Sequence, residues 1–285
     1  MTLLSPALLA RLETLQIGNR HRLVGRFGGE HVSQRYGNTV DFADFREYHP
    51  GDDFRRIDYH VLARLDQVLI KLFEADDEVT VRILVDVSAS MSVGGKLEQA
   101  KRLAAALGFV ALTAHDSVTV HTFPRRGPAP RFTGRSAAPG LFKHLENLEP
   151  EGETPFASAA GELLASSSLP GVTVVLSDLL TPQWRSLVSL RAGGSDLLVV
   201  HLTCTEDVSP DFQGDLELVD TEDRRRLTVS ITEEVIRSYV DRVSGWRAEV
   251  AAATSAAGGV LLEVDARDDL EDLLLRTWRR LGVLR

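Results

Sequence analysis

From residue 79 onward, short apolar runs alternate with amphipathic stretches, and this alternation leaves few folds open to the chain. The apolar runs lie at residues 79–87, 117–123, 172–177, 196–203 and 259–264. Between and after them, residues 97–114, 141–148, 155–166, 184–190 and 269–281 carry helical spacing. Strands that are apolar on both faces and linked by helices predict an α/β fold, with a mainly parallel sheet covered by helices on both faces. Right-handed crossovers then bring the strand ends to one rim. Residues 215–231 break the alternation, because two β-rich runs around Thr221-Glu222-Asp223 read as a hairpin insertion. Residues 232–257 follow as a long helix, opening on a threonine cap with acidic residues in its first turn.

The first 78 residues read differently and predict a separate N-terminal segment ahead of a domain spanning residues 79–285. Leu3, Leu4, Leu8, Leu9, Leu12 and Leu15 recur at helical spacing. Residues 18–58 are polar, with turn signals at Gly28-Gly29, Gly37-Asn38 and Pro50-Gly51, and predict loops and short strands. Residues 67–75 alternate as a strand does. A net charge of -9 argues against nucleic acid, whose binders carry a basic surplus. The one cysteine, Cys204, excludes an intramolecular disulfide and sits in an apolar run, as a buried structural thiol does. With no basic stretch ahead of an apolar N-terminal core, and no run near the roughly 18 apolar residues of a membrane span, a cytoplasmic protein is expected.

The chemistry concentrates at the end of the first of these apolar runs. It delivers Asp86 and then two hydroxyls, Ser88 and Ser90, in a D-x-S-x-S pattern. Ligands of open parallel sheets gather beyond the carboxyl ends of the strands. Oxygen donors suit hard cations, so magnesium, manganese or calcium is the expected cofactor. Thr154, in a loop before a helix, and Asp178, at the end of another parallel strand, complete the candidate shell. Two carboxylates leave a divalent cation near neutral, and an open coordination position would favour an acidic group from a partner protein. Taken one at a time these residues have simpler uses, since serines after strands cap helices and Asp178 could cap residues 182–190.

Asp86, Ser88, Ser90, Thr154 and the Ser177-Asp178 pair resemble the metal-ion-dependent adhesion site of von Willebrand factor type A domains. The resemblance implies a Rossmann-like type A fold, serines and threonine touching the metal, and aspartates acting directly or through water.

Residues 44–64, DFREYHPGDDFRRIDYHVLAR, carry a second signature. Arginines 46, 55 and 56 beside acids predict a network of Arg46, Glu47, Asp52, Asp53, Arg55, Arg56 and Asp58, since an arginine fork binds a carboxylate bidentately. The REY-x-PGDD-x-RRID pattern ahead of D-x-S-x-S resembles the bacterial domain-of-unknown-function family numbered fifty-eight. Tyr59 stands where many relatives have tryptophan. The resemblance implies a non-enzymatic adaptor that works with a MoxR-type AAA+ ATPase, or with its client, in maturation or remodelling. No G-x-x-x-x-G-K-[ST] phosphate loop is present, so ATP hydrolysis would belong to the partner.

The rival reading is a magnesium-dependent phosphatase or phosphotransferase using Asp86 as nucleophile. Such sites want a second acid two residues later, where this chain has Ser88. Extracellular adhesion is a third reading, opposed by the want of export and disulfide signals.

Overall fold

Valine, isoleucine and leucine fill the strand that ends at Asp86, and every residue after its first is buried, as expected of a central strand with both faces covered. The structure is a computed structural model that describes residues 3–18, 40–49, 57–65, 67–75, 79–124, 129–152, 156–166, 171–191, 194–222 and 224–285. Two compact units emerge, one formed by Met1–Leu23 with Val79–Arg285 and the other by Val24–Glu78.

In chain order the described elements are α1 (Pro6–Leu12), β1 (Val40–Glu47), α2 (Tyr59–Leu65), β2 (Leu69–Ala75), β3 (Thr80–Asp86), α3 (Lys96–Thr113), β4 (Ser117–Phe123) and β5 (Arg131–Thr133). Then come α4 (Ala138–Glu146), α5 (Phe156–Ser166), β6 (Gly171–Ser177), β7 (Asp196–Thr203), α6 (Thr205–Val208), β8 (Gly214–Val219), β9 (Arg226–Ile231), α7 (Glu233–Ala256) and β10 (Val260–Asp265). Helical turns at Ala89–Gly95 and Trp184–Arg191 link strands to helices, and a helical run, Leu270–Asp272, Leu273–Thr277 and Trp278–Arg280, closes the chain.

The large unit holds a six-stranded sheet in the order β10-β7-β6-β3-β4-β5. Its pairs are parallel except for β5, which runs antiparallel to β4. The antiparallel strand was not expected. Residues 124–140 are rich in proline and glycine and read as a connection, yet Arg131–Thr133 within them pair with β4, Phe132 opposite Val118, and form an edge. Parity along β3 divides the core. Val81, Ile83 and Val85 face one apolar cluster with α1, α3, α4 and the C-terminal run, while Leu84 faces another with α5, Trp184 and Val250 of α7. Each fully buried valine, leucine or isoleucine contributes about 1.5–3 kcal/mol. Helix α3 approaches the sheet closely through Ala100, Ala104 and Ala111, and at Gly108 a Cβ would come within 2.5 Å of Leu141 on α4.

Helix α1 belongs to this unit although it precedes the other one in sequence. Leu4, Leu8, Leu12 and Leu15 are buried in the first cluster, and Ile17 bridges Leu284. The sequence grouped these residues with a 1–78 segment. The difference arises because the segment after α1 pairs with the C-terminal residues, Gln16 and Arg285 exchanging backbone hydrogen bonds at 2.9 Å.

The hairpin insertion forms as a two-stranded sheet of its own, β8 with β9, followed by α7, whose cap Thr232 accepts from the Val235 N–H. In the small unit β1 and β2 pair antiparallel, with a bulge between Phe42 and Asp44. Among the described residues, no helix is long and apolar enough to cross a membrane.

Candidate cation site

Strands β3 and β6 are parallel neighbours, so Asp86 and the Ser177-Asp178 pair leave the sheet side by side. The Ser177 hydroxyl donates to Asp86 Oδ2 at 2.5 Å, and the Ser88 N–H donates to Asp86 Oδ1 at 2.9 Å. Asp86, Ser88 and Ser177 have no exposed surface, and Asp178 has almost none. Ser88 Oγ lies 3.0 Å from Ser90 Oγ. Burial pushes the Asp86 carboxyl up to about 7, with the negative charge of Asp178 adding to the rise and the hydrogen bonds from Ser177 and Ser88 opposing it.

The strand-end loops are held together by backbone. Ala89 donates to Gly152 O at 3.0 Å and Glu151 to Val87 O at 2.6 Å. The loop that carries Thr154 is therefore bound to the D-x-S-x-S turn up to two residues before it. Thr154 itself lies outside the described residues.

Two residues that the sequence reading passed over complete the cluster. Lys96, buried, donates from Nζ to Asp178 Oδ2 at 2.7 Å and to Asp207 Oδ2 at 2.8 Å. Burial works to lower the Lys96 pKa, but the two carboxylates outweigh it and the net direction is upward. The other oxygen of Asp178 accepts from the Leu180 N–H at 3.1 Å. Asp207 lies in the short helix α6 just past the end of β7, on the same rim as Asp178 at the end of β6. Gly94 lets the turn before Lys96 pass β7, since its φ is +64° and a Cβ there would lie 2.4 Å from Cys204 Cβ. Cys204 is fully buried, and burial, followed by Asp207, pushes its thiol up to about 12, which leaves it inert.

Magnesium sits in near-octahedral oxygen shells at about 2.0–2.1 Å, so adjacent ligands stand roughly 2.9–3.0 Å apart. The Ser88 and Ser90 hydroxyls share a hydrogen bond at 3.0 Å, a separation that also matches one edge of such a shell. Among the described residues no group of three or more His, Cys, Asp or Glu converges as a metal centre. The described donors are two hydroxyls with carboxylates behind them, all oxygen, the donor chemistry that hard cations take.

Of the upstream network, Arg46 and Glu47 are exposed on β1, and Arg46 Nη1 lies 3.2 Å from His49 Nδ1. Asp58 caps α2, accepting from the N–H groups of His60 at 2.9 Å and Val61 at 3.3 Å. Asp52, Asp53, Arg55 and Arg56 lie outside the described residues.

Residues 44–248 match the family described as "Protein of unknown function DUF58". The chain belongs to this family. Its DUF58 match takes in both the upstream signature and the strand ends that carry Asp86, Asp178 and Asp207. Uncharacterized protein Mb1516 of Mycobacterium bovis and uncharacterized protein Rv1480 of Mycobacterium tuberculosis are each 28% identical over 280 residues, covering 94% of this chain and 88% of theirs. Among solved structures, a conserved hypothetical protein BatB from Bacteroides thetaiotaomicron aligns with 16% identity and a TM-score of 0.43, over 72% of this chain and 98% of that one. An aerotolerance-related membrane protein from Bacteroides fragilis aligns with the same identity, score and coverage.

Proposed function

We propose that this DUF58 protein is a von Willebrand factor type A-like adaptor. It binds a divalent cation, magnesium or manganese before calcium, at the strand-end rim and through it recognises an acidic group on a protein partner. The observation that carries this reading is the convergence of the Ser88 and Ser90 hydroxyls, 3.0 Å apart, beside the buried carboxylate of Asp86. Ser88 and Ser90 are the candidates for direct contact, with Thr154 as a third hydroxyl, and Asp86 and Asp178 shape the charge behind them. The cation would supply a Lewis-acidic position for a partner carboxylate. The resemblance points to a MoxR-type AAA+ ATPase or its client as that partner.

Burial favours binding over catalysis. Asp86 is fully buried and both of its oxygens accept hydrogen bonds, so an in-line attack on a phosphoryl group would need the rim to be rebuilt. The test of partnership is co-elution of the full chain with a purified MoxR-type ATPase from the same genome. Complex formation in magnesium that is lost in EDTA and in Asp86→Ala supports the adaptor; a complex indifferent to both contradicts it.

A further inference from the structure

We propose that Lys96 is a positioning residue of the cation site, holding Asp178 back from direct contact with the cation and so keeping the site's affinity low enough for reversible use. The inference rests on the cation reading above.

Lys96 is the first residue of the long helix α3, where the helix dipole disfavours a positive charge. It is 1% exposed, so water does not solvate its ammonium. A buried cation at the positive end of a helix breaks a local rule, and such conflicts mark sites where function constrains the chain. Here the conflict is resolved by two carboxylates, Asp178 at 2.7 Å and Asp207 at 2.8 Å. With Asp178 Oδ1 accepting from Leu180, both oxygens of that carboxylate are engaged. Direct cation contact then falls to the serine hydroxyls.

The charges follow the same logic. With all three carboxylates ionised, Asp86, Asp178 and Asp207 carry three negative charges and Lys96 one positive. A divalent cation therefore brings the cluster to neutrality. Without the ammonium the same cation would meet an extra unit of negative charge and one less repelling neighbour. Asp207 also anchors α7, because its carbonyl accepts the Tyr239 hydroxyl of that helix at 2.8 Å. Lys96 thus ties the cation rim to the elements that follow β7.

The experiment is a manganese titration of the full chain, read as free-ion electron paramagnetic resonance, with circular dichroism melts confirming the fold. Wild type is compared with Lys96→Met, Lys96→Arg and the double variant Lys96→Met/Asp207→Asn. The double variant keeps the wild-type charge of the cluster while releasing Asp178, so it tests that release and carries the test should the single one not fold. Lys96→Met is expected to tighten manganese binding on the order of tenfold or more, as removal of a nearby like charge does, the double variant less than that because only Asp178 is released, while Lys96→Arg stays near wild type. A lysine that merely supported the fold would weaken binding when lost. Wild-type binding with equal or weaker binding in the folded Met variants overturns the role of Lys96 and leaves the cation reading intact. Absence of binding in every protein overturns the cation reading and this inference with it.

Discussion

At the scale of single residues, Asp86 couples the site to pH. Its carboxyl titrates at an ordinary 3.8 in the unfolded chain and at about 7 in the folded one. Between these values the folded chain holds a proton that the unfolded chain has released, so stability falls as pH rises through that window. The contribution is whole below about pH 4 and gone above about pH 7. In EDTA, wild type is therefore expected to lose on the order of 3 kcal/mol between pH 5 and pH 8 relative to Asp86→Asn, measured by urea melts. Parallel pH profiles for the two proteins would contradict the assignment. Asp86 was legible from the sequence because a strand of buried aliphatics ended on a carboxylate. Lys96 was not, because a lysine opening a helix reads as solvent-exposed until the fold places Asp178 and Asp207 around it.

Elements were legible where their periodicity was strong. The runs at residues 117–123 and 196–203 form β4 and β7 with the expected bounds, because continuous β-branched and aliphatic sequence between turn signals has few other uses. The hairpin and the long helix were legible from their own local chemistry. Thr232 is the cap of α7, its Oγ1 accepting from the Val235 N–H at 3.3 Å. Thr232→Ala is expected to cost about 1 kcal/mol by chemical denaturation, while Thr232→Asp should keep most of the stability; equal loss in both would remove the cap from the account. Strand β5 was hidden because its pairing with β4 is a tertiary choice made by a short segment within proline- and glycine-rich sequence. Helix α2 was hidden as well, since the charged signature that contains its cap, Asp58, reads as a loop.

For the whole molecule, the sheet puts chemistry on one rim. Asp86, Ser177-Asp178 and Asp207 come from different parts of the chain and meet because β3, β6 and β7 are adjacent and parallel. The shared rim was an expectation from strand–helix alternation, whereas the order of the strands along it and the closure of the chain ends were not visible in any local pattern. Leu12, fully buried on α1, tests that closure. Leu12→Ala is expected to cost about 2–5 kcal/mol, seen as a lower urea midpoint, and an unchanged midpoint would detach α1 from the core. The central claim is that the rim holds a divalent cation, and the most direct measurement is manganese binding to wild type and to Ser88→Ala/Ser90→Ala at pH 8. Saturable binding to one site in wild type, lost in a double variant of unchanged melting temperature, is the predicted result. Equal binding by the two proteins, or none by wild type, would contradict it.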